Sequence, residues 1–149
     1  MQAALEQLDS TKSWALLPFF MACAAELSGQ YGDVGTAVAL LNRAAELVGI
    51  TGERWCEPEI MRLQAQFSAR DPGEAATLLR ASLALAREQG AKLWELRTAT
   101  SFAELRRAQG DRTTARDLLT PIYGWFREGW DTEDLVAART LLDELGRRS

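Results

Sequence analysis

Glu57 and Glu59, with Arg62 three positions further on, form the most chemically suggestive cluster in this sequence. Two carboxylates can divide acid and base duties when they face one another. On a helix, however, residues two apart point to different sides, whereas residues three apart share a face. Glu57 and Glu59 therefore do not make a catalytic pair, and Glu59 and Arg62 make an ion pair instead. Glu95 and Arg97 repeat the acid–base combination, and Trp55 and Trp94 stand close by in sequence. Trp55, Glu59, Arg62, Trp94, Glu95 and Arg97 together define a candidate groove for a peptide or a small ligand. The competing reading is a set of ion pairs that fix how helices stack. Charged pairs at this spacing are usual on helix surfaces, which favours that reading.

The remaining catalytic menu is short. The chain has no histidine, so Ser-His and Cys-His dyads and histidine metal sites are excluded. Cys23 and Cys56 are far apart and lack the spacing of a zinc site or a disulfide framework. Both lie in apolar helical context, where a free cysteine is expected to be buried as a small hydrophobe. Unpaired cysteines fit a reducing cytosol. No Gly-x-x-x-x-Gly-Lys-Ser/Thr phosphate loop is present. The glycines of "GQYGDVG" (Gly29, Gly32, Gly35) lack dinucleotide-loop spacing and follow a helix, so they read as an interhelical turn. The expectation is a chain with no catalytic, metal or cofactor site.

The elements that must position these side chains are helices. With 149 residues and 47% apolar content, the chain has the size of one domain with a core of its own. Its net charge of −4 offers no basic surface, and Arg106, Arg107, Arg112 and Arg116 are interleaved with Glu104, Asp111 and Asp117, so nucleic acid is not an expected partner. The longest apolar run, Trp14–Ala25, is short of the roughly 20 residues of a membrane span and holds Pro18. The start of the sequence lacks the layout of a secretory signal. A cytoplasmic protein without membrane contact is expected.

Three aspartates set a repeat: Asp33, Asp71 and Asp111. Four positions after each stands an alanine (Ala37, Ala75, Ala115). Paired leucines follow (Leu40–Leu41, Leu78–Leu79, Leu118–Leu119), and then Ala44, Ser82 and Ile122. Aspartate is a preferred N-cap, and its charge suits a helix N-terminus. Gly32 and Gly110 precede two of the aspartates and permit a tight interhelical turn. Pro72 sits at the first helical position, where its missing N–H costs nothing. Capping and 3.6-residue periodicity predict helices over Ala3–Leu8, Leu17–Gln30, Val34–Val48, Trp55–Ala69, Pro72–Glu88, Lys92–Gln109, Thr113–Phe126 and Thr132–Leu145. Gly49, Gly52, Gly90 and Gly129 are expected between them. Helix-turn-helix units at this spacing make an all-α, tetratricopeptide-like (TPR-like) α-solenoid: one domain over 1–149, hairpins near 17–49, 55–89 and 92–127, and a closing helix over 132–145.

Three stretches carry a resemblance: "TGERWCEPEIMRLQAQF" (Thr51–Phe67), "AREQGAKLWELRTATSFAELRRAQG" (Ala86–Gly110) and "LLTPIYGWFREGWDTEDLVAARTLLDEL" (Leu118–Leu145). From about Leu17 onward the chain resembles the C-terminal TPR-like region of large bacterial signalling proteins. In those proteins the region follows a predicted ATPase module and either a class III adenylate/guanylate cyclase domain or a winged-helix transcriptional-regulator domain. The resemblance implies a non-catalytic interaction or regulatory module. Its partner would be a protein or peptide, or another domain of the same polypeptide. A small-molecule sensor and a self-associating module are the alternatives.

The stretch "YGWFREGWDT" (Tyr123–Thr132) reads as the end of such an array. Tyr123, Trp125 and Phe126 are expected to pack against the final helix, Gly129 to end the helix before it, and Thr132 or Asp131 to cap the next. The functional alternative is that Trp125 or Trp130 stays exposed and anchors a partner.

Overall fold

The computed structural model describes residues 15–147, and the expected helix over Ala3–Leu8 lies outside them. The described residues form seven helices and no strand: α1 (Leu17–Gln30), α2 (Val34–Thr51), α3 (Glu57–Phe67), α4 (Pro72–Gln89), α5 (Lys92–Ala108), α6 (Arg112–Trp125) and α7 (Glu133–Gly146).

The three repeat aspartates cap the second helix of each pair. The Asp33 carboxylate accepts from the backbone N–H of Thr36, Asp71 from Glu74, and Asp111 from Thr114, at 2.8–3.1 Å. The Glu74 carboxylate returns the favour by accepting the N–H of Arg70 at 3.0 Å, a close variant of the capping box. Gly32 and Gly110 adopt φ of 90° and 82° just before their aspartates, a conformation that a side chain would strain.

Every described helix ends within three residues of the expected bounds, and two of the shifts change the role of a glycine. α2 runs through Gly49 and ends at Thr51. Its left-handed cap is Gly52, with φ of 73°, whose N–H reaches the Val48 carbonyl. Only the residue that must turn left needs to be glycine, so Gly49 is tolerated inside the helix. α6 ends at Trp125, and its C-cap Phe126 is already extended. Gly129 thus lies in the loop and does not end the helix. Thr132 is the N-cap of α7 by position, but its hydroxyl donates back to the Gly129 carbonyl at 2.7 Å instead of capping.

Helices pack in chain order: α1 on α2, α3 on α4, α5 on α6, with α2–α3, α4–α5 and α6–α7 contacts between pairs. The first helices also touch one another, α1 on α3, α3 on α5 and α5 on α7. The repeat positions are the glue. Ala37, Ala44, Leu41, Ser82, Leu79, Ala115 and Leu119 are all buried, while Leu40, Leu78 and Leu118 are half-buried at the edges. One apolar cluster joins α1, α2 and α3, a second joins α3, α4 and α5, and a third joins Leu83 of α4 to α5, α6 and α7. Ser82 adds a polar tie. Its hydroxyl bonds to the Pro58 carbonyl and the Thr98 hydroxyl, both at 2.7 Å, so none of the three is left unsatisfied inside the core.

By length and composition α2 passes for a membrane span, with a mean hydropathy of 1.2. Its apolar ridge of Ala37, Leu41, Ala44 and Val48 is nevertheless core against α1 and α3. Arg43 and Glu46 pair with each other at 3.0 Å on its open side.

Candidate functional site

The row of first helices carries a network of charges. Glu59 and Arg62, one turn apart on α3, meet in a two-pronged pair: Nη2 to Oε1 at 2.6 Å and Nε to Oε2 at 2.9 Å. Arg97 of α5 reaches the same carboxylate, its Nη2 2.8 Å from Oε1. Glu26 of α1 accepts from both guanidiniums, at 3.1 Å from Arg62 and 3.3 Å from Arg97. Asp134 in the first turn of α7 accepts from Arg97 at 2.9 Å. The Ser101 hydroxyl of α5 accepts the remaining arm of Arg62 at 3.2 Å. Five charged side chains from α1, α3, α5 and α7 thus form one ladder.

Glu59 and Arg62 are almost fully buried, whereas Glu26, Arg97 and Asp134 form the wetter rim. Burial opposes a charge on both arginines. On Arg62 the hydrogen bonds and charge of Glu59, helped by Glu26, outweigh it. On Arg97 the charges of Glu59, Asp134 and Glu26 do the same, and both pKa values lie above the ordinary guanidinium value. Both guanidiniums therefore stay charged at every physiological pH. A buried ion pair contributes little net stability, but removing one member is costly, because its partner is left charged and unpaired. The arrangement therefore fixes the register of the four helices relative to one another.

Two half-open clefts flank the ladder and share Arg62, Ser101 and Glu104. One of about 360 Å³ lies between α3, α4 and α5, with Gln66, Leu79 and Leu105 on its walls. The other, about 160 Å³, reaches from Glu26 past Arg97 to Glu133 and Asp134. Among the described residues Glu104 and Glu133 have no cationic partner, so these clefts present acidic oxygens beside a centre in which three carboxylates share two guanidiniums.

The sequence-derived groove divides into three places. Glu59, Arg62 and Arg97 meet in the ladder. Glu95, two residues from Arg97, faces the other way, toward Arg87 of α4 at 3.1 Å and Lys92 at 3.0 Å, and is buried there. Trp55 and Trp94 line neither flanking cleft. They stack with Phe19, ring centres 5.4–6.4 Å apart. The Trp94 indole N–H donates to the Trp55 carbonyl at 2.9 Å, and that of Trp55 to the Ala15 carbonyl at 3.0 Å. These two tryptophans bind the start of α1, the loop before α3 and the first turn of α5 together.

At the C-terminal end, Tyr123 and Phe126 pack on the core beside Leu142, as the terminator reading expects. Trp125 does not. It is 55% exposed, lies edge-on to Phe126 at 5.2 Å, and carries the Lys92 ammonium 5.3 Å from its ring centre. Trp130 is 43% exposed and rests on Tyr123 at 5.3 Å. Cys56 is buried, and burial pushes its thiol up to about 11. Cys23, expected in the core, is exposed on α1. Partial desolvation, then Glu26 and Glu59, raise its pKa, so it is not an activated thiol.

Glu26, Ser101, Glu104, Glu133 and Asp134 are not among the candidate site residues to which the sequence points. One signal was available: Glu26 and Glu104 each stand seven residues before a repeat aspartate, with Gln64 at the same offset in the middle unit. Searches against protein-family models, curated proteins and solved structures find no match to this chain.

Proposed function

We propose that this chain is a non-catalytic, TPR-like interaction module. It would bind a protein or peptide segment along the face built by α1, α3, α5 and α7, as part of, or related to, a bacterial signalling protein. The observation that carries the reading is the charge ladder. Four consecutive first helices are locked in register, and the lock leaves open clefts on both sides. A rigid face of this kind loses little entropy when it binds an extended chain. The arginines are consumed internally, while Glu104 and Glu133 are not ion-paired among the described residues. The favoured partner therefore carries lysine or arginine side chains. Both described cysteines are free, in keeping with a reducing cytosol.

Selection of short peptides from a random display library against the purified chain tests this. Enriched peptides should be basic, and their binding should fall by about tenfold or more in Glu104→Lys and Glu133→Lys, for a contact worth about 1.4 kcal/mol. Peptides that bind these variants as well as the parent chain would place the partner elsewhere. Turnover of ATP or GTP by a clean sample would overturn the non-catalytic reading.

A second reading rests on the larger cleft, whose volume of about 360 Å³ lies at the lower end of small-molecule sites. Stabilisation of the chain by a small metabolite, lost in Leu79→Trp but retained in Glu133→Lys, would favour a sensor over a peptide receptor.

A further inference from the structure

The outward face of α1 is bare. Leu16, Phe20, Leu27 and Tyr31 are 47%, 59%, 55% and 84% exposed, and Cys23 and Ala24 between them are exposed as well. At 100° per residue all six fall within about a third of the helix circumference. They form one stripe along the whole helix and its two flanking residues. The corresponding face of α5 is not bare. Counting back from the repeat aspartates, Phe20, Ala24 and Leu27 stand where α5 has Thr98, Phe102 and Leu105. Thr98 bonds to Ser82 of α4, and Phe102 and Leu105 pack on Ala75, Ala76 and Leu79 of α4. This helix position is built to be covered by another helix, and among the described residues nothing covers it on α1.

We infer that a second copy of this chain covers it, the two α1 helices crossing antiparallel about a twofold axis near Cys23 and Ala24. The stripe is self-complementary under that operation. Leu16 meets Tyr31 of the other copy, Phe20 meets Leu27, and the small Cys23 and Ala24 meet at the centre, where the helix axes approach most closely. The only charged residue of α1, Glu26, is held by Arg62 and Arg97, so the juxtaposition brings no like charges together. The assignment is independent of the peptide-binding reading and uses a different face.

The full chain is tested by sedimentation across the micromolar range, with thiol cross-linking by a short bismaleimide. A dimer that cross-links through Cys23 is expected. The link should vanish in Cys23→Ser and persist in Cys56→Ser, whose missing thiol is the buried one. Phe20→Lys and Leu27→Glu should each weaken the dimer by about a hundredfold or more, because each is felt twice across the axis. Far-UV circular dichroism should show both variants folded. Phe20→Lys with Leu27→Glu in one chain should restore the dimer, since antiparallel pairing sets lysine against glutamate. A monomer at the highest concentration overturns the inference and leaves the stripe to some other helix. So does a dimer unaffected by these substitutions, or one that the double variant fails to restore.

Discussion

α1 and α7 are the first and last helices described, and they are treated differently on their far sides. Each gives one carboxylate to the ladder, Glu26 from α1 and Asp134 from α7. Each buries an inner ridge: Ala22 and Ala25 in α1, Leu135, Ala138, Leu141 and Leu145 in α7. Beyond that the resemblance stops. The open side of α7 mixes Val136 with Arg139, Thr140 and Asp143, whereas that of α1 is Leu16, Phe20, Leu27 and Tyr31. An array of stacked helices stays soluble at an end only if the outermost face is polar. Among the described residues the far side of α7 is polar in this way and that of α1 is not. The ladder is what the two helices share, and the outer face is what separates them.

The largest expected effect comes from breaking what they share. Glu59 is the one acid that both arginines contact in the buried centre. Glu59→Gln keeps its shape and removes its charge, leaving Arg62 and Arg97 to repel each other at low exposure. The expected loss is about 3–5 kcal/mol of unfolding free energy, measured by urea titration. An Arg62→Met, Glu59→Met double variant should recover much of it, because well-packed apolar residues often replace buried ions at no cost. If Glu59→Gln unfolds at the parent's urea midpoint, the ladder is a surface ornament and the two end helices are not coupled through it.

Next in size is the packing inside each pair. Ala37 has no exposed surface between α1 and α2, and Ala37→Leu should overpack that seam by about 1–3 kcal/mol. The effect belongs to the folded core and not to the stripe, so any dimer should lose thermal stability without losing its Cys23 cross-link. An unchanged melting temperature would contradict the close α1–α2 approach.

A smaller effect separates the two outer faces. Val136→Lys on α7 should change stability by no more than about 0.5 kcal/mol, as surface substitutions away from special features do. Phe20→Lys on α1 should likewise leave the isolated fold intact, yet alter the mass measured by sedimentation. Equal behaviour of the two variants in both assays would erase the distinction between the ends.

Much of the helical scaffold was legible because its signals are local. An aspartate before a helix is a cap whatever surrounds it, and all three repeat aspartates cap. Alanine and leucine at fixed offsets from those caps fall on the inner faces because 3.6-residue periodicity carries them there. The site was legible only where it was local too. Glu59 and Arg62 share one face of one helix and do pair. Arg62 to Glu26 spans 36 residues and Arg97 to Glu26 spans 71, and no local rule joins such positions. Glu95 shows a local rule left unapplied. It lies two residues from Arg97, about 200° around the helix, so the pair could not share a groove. Cys23 was expected in the core from its apolar neighbours, but those neighbours divide: Ala22 and Ala25 face the core, while Phe20, Ala24 and Leu27 share the exposed stripe with Cys23.

The smallest effect tests a second thing the end helices share, the lack of a side-chain cap. Leu16 and Thr132 make none, whereas Asp33 and Asp111 cap α2 and α6. Hydrogen bonds from Thr36, side chain and then backbone, hold the Asp33 carboxyl below its usual range, and Thr114 does the same for Asp111. A carboxyl depressed in the folded state contributes stability above its unfolded pKa, and that contribution is lost as pH falls through the folded value. Stability should therefore decline on the acid side of about pH 4. Asparagine caps a helix nearly as well and carries no titrating charge. Asp33→Asn with Asp111→Asn should leave the neutral-pH urea midpoint close to the parent's and make the acid decline shallower. An acid limb of the same slope in both proteins would show that the loss arises elsewhere. The first place to look would be Glu74, whose carboxyl is also held below its usual range by hydrogen bonds from Arg70, backbone and then side chain.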